Sequence, residues 1–225
     1  MINLAIIPAR GGSKRIPRKN IRDFLGKPIL AYSIETALQS DLFDEVMVST
    51  DDEEIATIAI QYGAIVPFIR NKQTANDIAT LSDVVEEVKS EYYKRGITFD
   101  NICCILPTAP LVSINILKQG IKLLIEKKAD SVRPIVQFSY PIQRSFRLDK
   151  NGRVSLFYPE YSQARSQDLE LAYHDAGMFY WMKSEKGLKG ENRYGLEISE
   201  MDCQDIDNEV DWEIAELKYK LKRSL

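Results

Sequence analysis

The sequence predicts an α/β sandwich with a mainly parallel sheet. Short apolar runs alternate with longer segments of helical period along most of the chain. The first apolar run leads directly into a loop with two glycines and five cations, the pattern of a ligand loop beyond a strand's carboxyl end. At 225 residues the chain suits one large domain with a sizeable core.

The elements follow in order. Asn3–Pro8 (NLAIIP) reads as a buried strand, and Pro28–Gln39 as the first helix. Glu45–Ser49 and Ile65–Phe68 are short apolar runs of strand length flanking a helix expected at Glu53–Tyr62. A helix at Leu81–Arg95 precedes a strand at Asn101–Leu106, and a helix at Ile114–Lys127 precedes one at Ser131–Gln137. Met178–Met182 is the last strand expected. In Glu209–Lys222, Val210, Ile214, Leu217 and Leu221 recur with helical period. From about 137 to 170 the alternation stops. FRLDKNGRVSLF reads as a hairpin with Asn151-Gly152 as a primed turn, followed by a polar and aromatic stretch. Such an insertion needs cover, from a partner subunit or as a lid.

Composition bounds the function. Formal net charge is -3, so the chain is not a nucleic-acid binder by electrostatic bulk, and the opening cations are a local device. No apolar run reaches membrane-spanning length, and the first strand begins at once with no signal peptide, so no membrane partner is expected. Cys103, Cys104 and Cys203 form neither a CxxC motif nor a paired framework, which fits reduced thiols in a cytoplasm.

The loop between the first strand and first helix carries the chemistry. Gly11 and Gly12 permit close backbone approach to a ligand and aim N–H groups at it. Arg10, Lys14, Arg15, Arg18 and Lys19 supply charge, Arg as a planar fork and Lys as a point charge. A polyphosphate is the natural ligand. The stretch is neither a P-loop nor a GxGxxG fingerprint. A solvated basic loop or an RNA-contacting patch is the competing reading. Near the other end, Asp205 and Asp207 lie two apart, so in extended backbone both carboxylates leave the same face. Two hard oxygens with open positions suit Mg²⁺, or Mn²⁺ in its place. Asn208 and Asp211 read as helix-capping groups, as do Asp51 and Asp52 before the second helix.

PARGGSKRIPRKN, GKPILAYSIETALQS, FDEVMVSTDDEEIATIAIQYGA and LPTAPL together resemble the CMP-sugar synthetases, cytidylyltransferases that activate nonulosonic acids and Kdo. YPIQRSFRL and RSQDLELAYHDAGMFYW resemble the pseudaminic acid branch of that family. The resemblance covers nearly the whole chain. It implies a three-layer α/β/α, Rossmann-like nucleotidyltransferase fold, CTP and a nonulosonic acid as substrates, and a cytoplasmic homodimer. It places Arg10 and Lys19 on the phosphates as catalytic cations. Ala9, Gly11, Gly12, Ser13, Lys14 and Asn20 are implied around the nucleotide. Arg70 and Asp77, in FIRNKQTANDIATLSD, match its nucleotide-contacting segment, although Asp77 and Ser82 also read as caps of the next helix. In this family the pair matching Asp205 and Asp207 binds the metal.

The chain departs from the sialic acid enzymes at two places. Leu106 stands where they carry a sugar-contacting Gln, and His174-Asp175-Ala176 replaces their Arg-Pro-Asn before Gly177. Both departures favour a less polar sugar, with Leu106 and His174 in its pocket. Arg144 and Arg165 are the expected forks for the sugar carboxylate. N-acetylneuraminic, legionaminic or Kdo acid is the alternative substrate, and a nucleotide- or RNA-binding module without turnover is the rival from another class.

Overall fold

The computed structural model describes residues 1–223. Strand β1 (Asn3–Pro8) is followed by a two-residue ribbon, β2 (Asp23–Phe24) and β3 (Lys27–Pro28), then by α1 (Ile29–Gln39), β4 (Glu45–Ser49) and α2 (Glu53–Gln61). Next come α3 (Leu81–Tyr93), β5 (Asn101–Ile105), α4 (Ile114–Glu126) and β6 (Ser131–Gln137). β7 (Phe146–Leu148) and β8 (Val154–Leu156) form a separate hairpin; β9 (Tyr173–Asp175), β10 (Phe179–Lys183), β11 (Arg193–Glu197) and α5 (Glu209–Arg223) complete the chain.

The main sheet runs β11-β6-β10-β5-β1-β4, with β9 paired to β6. β1 pairs parallel with both β4 and β5, and β11 parallel with β6; β10 is antiparallel to its two neighbours. Leu4 to Ile7 are wholly buried, as a strand covered on both faces requires. One face carries Ala5, Ile7, Val48 and Cys103 against Ile34 of α1, Ile55 of α2 and Leu117 of α4. The other carries Leu4, Ile6, Met47 and Cys104 against Val85, Val88 and Tyr92 of α3. These are the three layers expected. After β1 the chain moves out to β4 and then crosses back to β5 on the other side of β1. That reversal opens a crevice beyond the carboxyl ends of β1 and β5.

A third apolar cluster positions the site. Ile16 of the opening loop and Ile206 are both buried among Phe24, Ile29, Tyr32 and Trp212. Ile16 anchors the basic loop to α5, and Ile206 brings the acidic segment before α5 to the same place.

Several expectations change. Ile65–Phe68 is not a strand: only Ile65 bridges, to Met47, because Pro67 has no N–H for a ladder to continue. The last expected strand is shifted to Phe179–Lys183 and runs antiparallel. β9 and β11 were not expected; each has residues exposed on the sheet's margin and so lacks an apolar run. The hairpin turn is not a primed two-residue turn. Five residues, Asp149 to Arg153, join the paired ends, and Gly152 alone has a positive φ, of 80°. The Asp149 side chain accepts from the Asn151 and Arg153 amides at 2.8 and 2.9 Å, which shapes this longer loop.

Candidate active site

A cavity of about 490 Å³ occupies the crevice. Arg10, Ser13, Lys14, Lys19 and Asn20 line it from the opening loop, Arg70 and Asp77 from the segment before α3, and Leu106 from the end of β5. Eight of the expected residues thus meet in one place, from three separate parts of the chain. Arg15, Thr74 and Thr108 line it as well. Thr108 had a legible signal, a hydroxyl three residues beyond the end of buried β5 at Ile105; Thr74 had none.

Ala9, Gly11 and Gly12 stand behind these side chains rather than in the cavity wall. Ala9 is buried, and its amide donates to the Ser49 carbonyl at 2.9 Å. The Gly11 amide donates to Asp51 Oδ1 at 3.0 Å, so it faces a carboxylate rather than open space. A Cβ on Gly11 would fall 2.6 Å from Asp52 Oδ2. Its glycine therefore answers the approach of Asp52, which corrects the expectation that it admits a ligand. Around Gly12 no atom lies within 4 Å of a built Cβ, and close access there stays open.

The loop cations are largely matched by acids. Asp77 holds Arg10 Nη1 at 2.8 Å and also pairs with Lys14 Nζ, and these contacts hold its carboxyl below the usual range. Arg15 pairs with Asp207 at 2.7 Å. Lys19 Nζ donates to the Ile206 carbonyl at 2.6 Å, and buried Asn20 donates to the Arg10 carbonyl at 2.9 Å. Burial draws the Lys19 ammonium below its ordinary value, while the charges of Asp207 and Asp205 oppose that.

Asp205 and Asp207 flank the buried Ile206 in a segment outside any helix or strand. Ile206 turns inward, leaving the carboxylates on its two sides beside Lys19. Burial, and then the charge of Asp207, push Asp205 above its usual value. A hard divalent cation relieves both causes, so the donor set fits Mg²⁺ or Mn²⁺. Among the described residues no group of three or more His, Cys, Asp or Glu is arranged to hold a metal. A cation on this pair would need its other ligands from water or phosphate, as Mg²⁺ commonly does. Of the capping readings, those for Asn208 and Asp52 match the geometry, whereas Asp51 does not cap α2 and accepts from the Gly11 amide instead. Asn208 Oδ1 accepts from the Asp211 amide at 3.1 Å, and Asp52 accepts from the Ile55 amide at 3.0 Å. Helix α3 is capped by Thr80 with Asp83, not by Asp77 and Ser82.

Arg70 is buried, with Nε donating to Ser49 Oγ at 3.0 Å and Nη2 to the Ser49 carbonyl. It braces the end of β4 while lining the cavity. The remaining sugar-site expectations lie outside the cavity wall. Arg144 Nη1 donates to Ser166 Oγ at 3.1 Å, in a second groove of about 810 Å³ beside the hairpin. Arg165 precedes a short 3₁₀ turn in the same insertion. His174 lies on β9 with its ring 4.9 Å from that of Phe138.

A crevice at the reversal point of an α/β sheet, with convergent cations and a nearby carboxylate pair, defines a nucleotidyltransferase-type site. The family model for "Cytidylyltransferase" matches residues 4–175, and the chain belongs to that family. It is 44% identical to a pseudaminic acid cytidylyltransferase of Campylobacter jejuni, over 98% of this chain and 97% of the relative. It is 31% identical to the CMP-N,N'-diacetyllegionaminic acid synthase of Legionella pneumophila, over 98% and 97% of the two chains. Its fold is similar to that of a CMP:2-keto-3-deoxy-manno-octonic acid synthetase complexed with CTP, with a TM-score of 0.71, 17% identity and full coverage of both chains.

Proposed function

We propose that the chain is a pseudaminic acid cytidylyltransferase, converting CTP and pseudaminic acid into CMP-pseudaminic acid and diphosphate. The observation that carries this reading is the joining of Arg10, Lys14 and Lys19 in one crevice, in a chain 44% identical to an enzyme of that name. The sugar's C2 oxygen bonds to the α-phosphorus of CTP. The bond from that phosphorus to the bridging oxygen breaks, its electron pair leaves with diphosphate, and the proton of the C2 hydroxyl passes to solvent.

Arg10 and Lys19 neutralise charge on the α-phosphate and the leaving diphosphate, and Lys14 and Ser13 add phosphate contacts. Asn20, tied to the Arg10 carbonyl, keeps the two ends of the loop together. Asp205 and Asp207 hold Mg²⁺, which when bound supplies charge neutralisation and orientation at the phosphates. Leu106 faces the sugar from the end of β5. Arg144, Arg165 and His174, on the insertion and β9, are assigned to the sugar side, and a homodimer brings insertion residues to it. The three cysteines are buried and unpaired, in keeping with a cytoplasmic place of work, and no helix among the described residues is long and apolar enough to cross a membrane.

The test is diphosphate release with CTP and Mg²⁺, run in parallel with pseudaminic, N-acetylneuraminic, legionaminic and Kdo acids. Release with pseudaminic acid above the others is expected. Release with legionaminic acid instead would keep the chemistry and move this chain toward its 31% relative. No release with any acid would return the basic loop to the binding-module reading.

A further inference from the structure

Five cations in the opening loop invite one role, yet the structure divides them. Arg10, Lys14, Arg15 and Lys19 all line the cavity; Arg18 alone does not. Its guanidinium turns onto the start of α2, where Nη1 pairs with Asp52 Oδ2, and Nη2 reaches Asp52 Oδ1 at 3.1 Å and Glu54 Oε2. Its backbone is in the left-handed region, with φ 53° and ψ 28°, and no glycine supplies that turn. The Arg18 carbonyl then accepts from the Ile21 and Arg22 amides at 3.0 and 3.1 Å. This turn sends the next two side chains inward, Lys19 to the Ile206 carbonyl and Asn20 to the Arg10 carbonyl.

We propose that Arg18 is a positioning residue that clips the opening loop to the N-terminus of α2, holding the loop at Gly11 and so setting Lys19 for the reaction. Asp52 is the middle of the clip. It accepts from the Ile55 amide as helix cap, takes the Arg18 fork, and packs against Gly11 so closely that no Cβ fits between. Its neighbour Asp51 takes the Gly11 amide. The fork therefore fixes one end of the loop through Asp52, and the left-handed turn fixes the other. The shared proton-affinity shifts agree: the Arg18 bond lowers Asp52, and the Asp52 bond raises Arg18. A phosphate-binding arginine has the opposite requirement, since its guanidinium must face the cavity without two carboxylates on it.

The inference rests on the cytidylyltransferase reading for its kinetic arm alone. The experiment compares wild type with Arg18→Lys, Arg18→Gly and Glu54→Gln. The readouts are steady-state diphosphate release, CTP binding by titration calorimetry, and amide hydrogen exchange of the peptide covering residues 9–13 without substrates. Lys keeps a charge but not the fork; Gly relieves the turn but removes the side chain. Both are expected to lose between about tenfold and about a hundredfold in kcat/KM for CTP, the larger figure being the scale of a 1 Å misplacement. Both should exchange faster over residues 9–13, with folding retained by circular dichroism. Glu54→Gln should leave CTP binding equal or weaker. Wild-type kinetics and exchange in Arg18→Lys would overturn the clip, as would tighter CTP binding in Glu54→Gln, which would mark Arg18 as a phosphate ligand held in reserve. Absence of wild-type turnover would refute the functional reading, while the exchange arm would still decide the clip.

Discussion

Lys19 shows how position decides the role of a charge. Its ammonium sits between the crevice and the acidic pair, held by a carbonyl and partly stripped of water. A cation so placed acts most strongly as negative charge builds on the phosphates. Lys19→Ala should lower kcat by at least about a hundredfold, the scale of one lost electrostatic donor, with a smaller change in KM. An unchanged kcat with only a raised KM would remove the catalytic role. Asp77 is the converse case. It neutralises Arg10 and Lys14, the side chains a phosphate must reach. Exposed pairs are weak, so Asp77→Asn should bind inorganic diphosphate modestly more tightly. Diphosphate has no base or ribose, so weaker binding would show that Asp77 supports the phosphate site itself. For Asp207, loss of one hard oxygen should raise the Mg²⁺ needed for half-maximal release by at least about tenfold. Asp207→Asn with an unchanged titration would place the metal elsewhere.

At the scale of elements, burial governs what could be read. β1, β4 and β5 were legible because both faces are covered and their residues are nearly all apolar. β11 (RYGLE) was not, since an exposed strand on the margin has no need of an apolar run. The cation-rich loop was legible as a ligand loop, but its division was not: Arg18 and Arg10 differ in partners that lie 34 and 67 residues away in sequence. Helix α4 makes a sharper test of packing. Gly120 meets the sheet where a Cβ would lie 2.7 Å from Trp181 Cδ1 and 3.0 Å from Phe179 Cε2. Both rings are fully buried, and Trp181 is stacked on Phe43 with centroids 5.1 Å apart, so neither has room to retreat. Gly120→Ala gains up to about 1 kcal/mol of helix propensity but overpacks by about 1–3 kcal/mol. With the full propensity gain the net expectation is destabilisation of up to about 2 kcal/mol, read as a lower urea midpoint at unchanged slope. A higher midpoint would mean that the helix shifts outward at little cost.

For the whole molecule, the insertion poses the remaining question. Phe146 pairs with Leu156 and Leu148 with Val154 across the β7–β8 hairpin, which puts all four on one face. Phe146, Leu148 and Val154 are 62, 72 and 65% exposed, and Tyr140 nearby is 85% exposed. A two-stranded hairpin is marginal by itself, and a contiguous apolar face of this kind normally has a partner. The homodimer proposed above supplies it, with a second copy of the hairpin as the natural complement for a face of low charge. In sedimentation velocity the chain should run with twice its 25.7 kDa mass. Leu148→Asp with Phe146→Asp places two charges in the proposed contact and should give the monomer with unchanged circular dichroism. Since Arg144 and its groove lie in the same insertion, the monomer should lose activity with the sugar while binding CTP as before. A double variant that still runs as a dimer would move the interface off the hairpin. A monomeric wild type would instead leave the lid as the explanation for its apolar face.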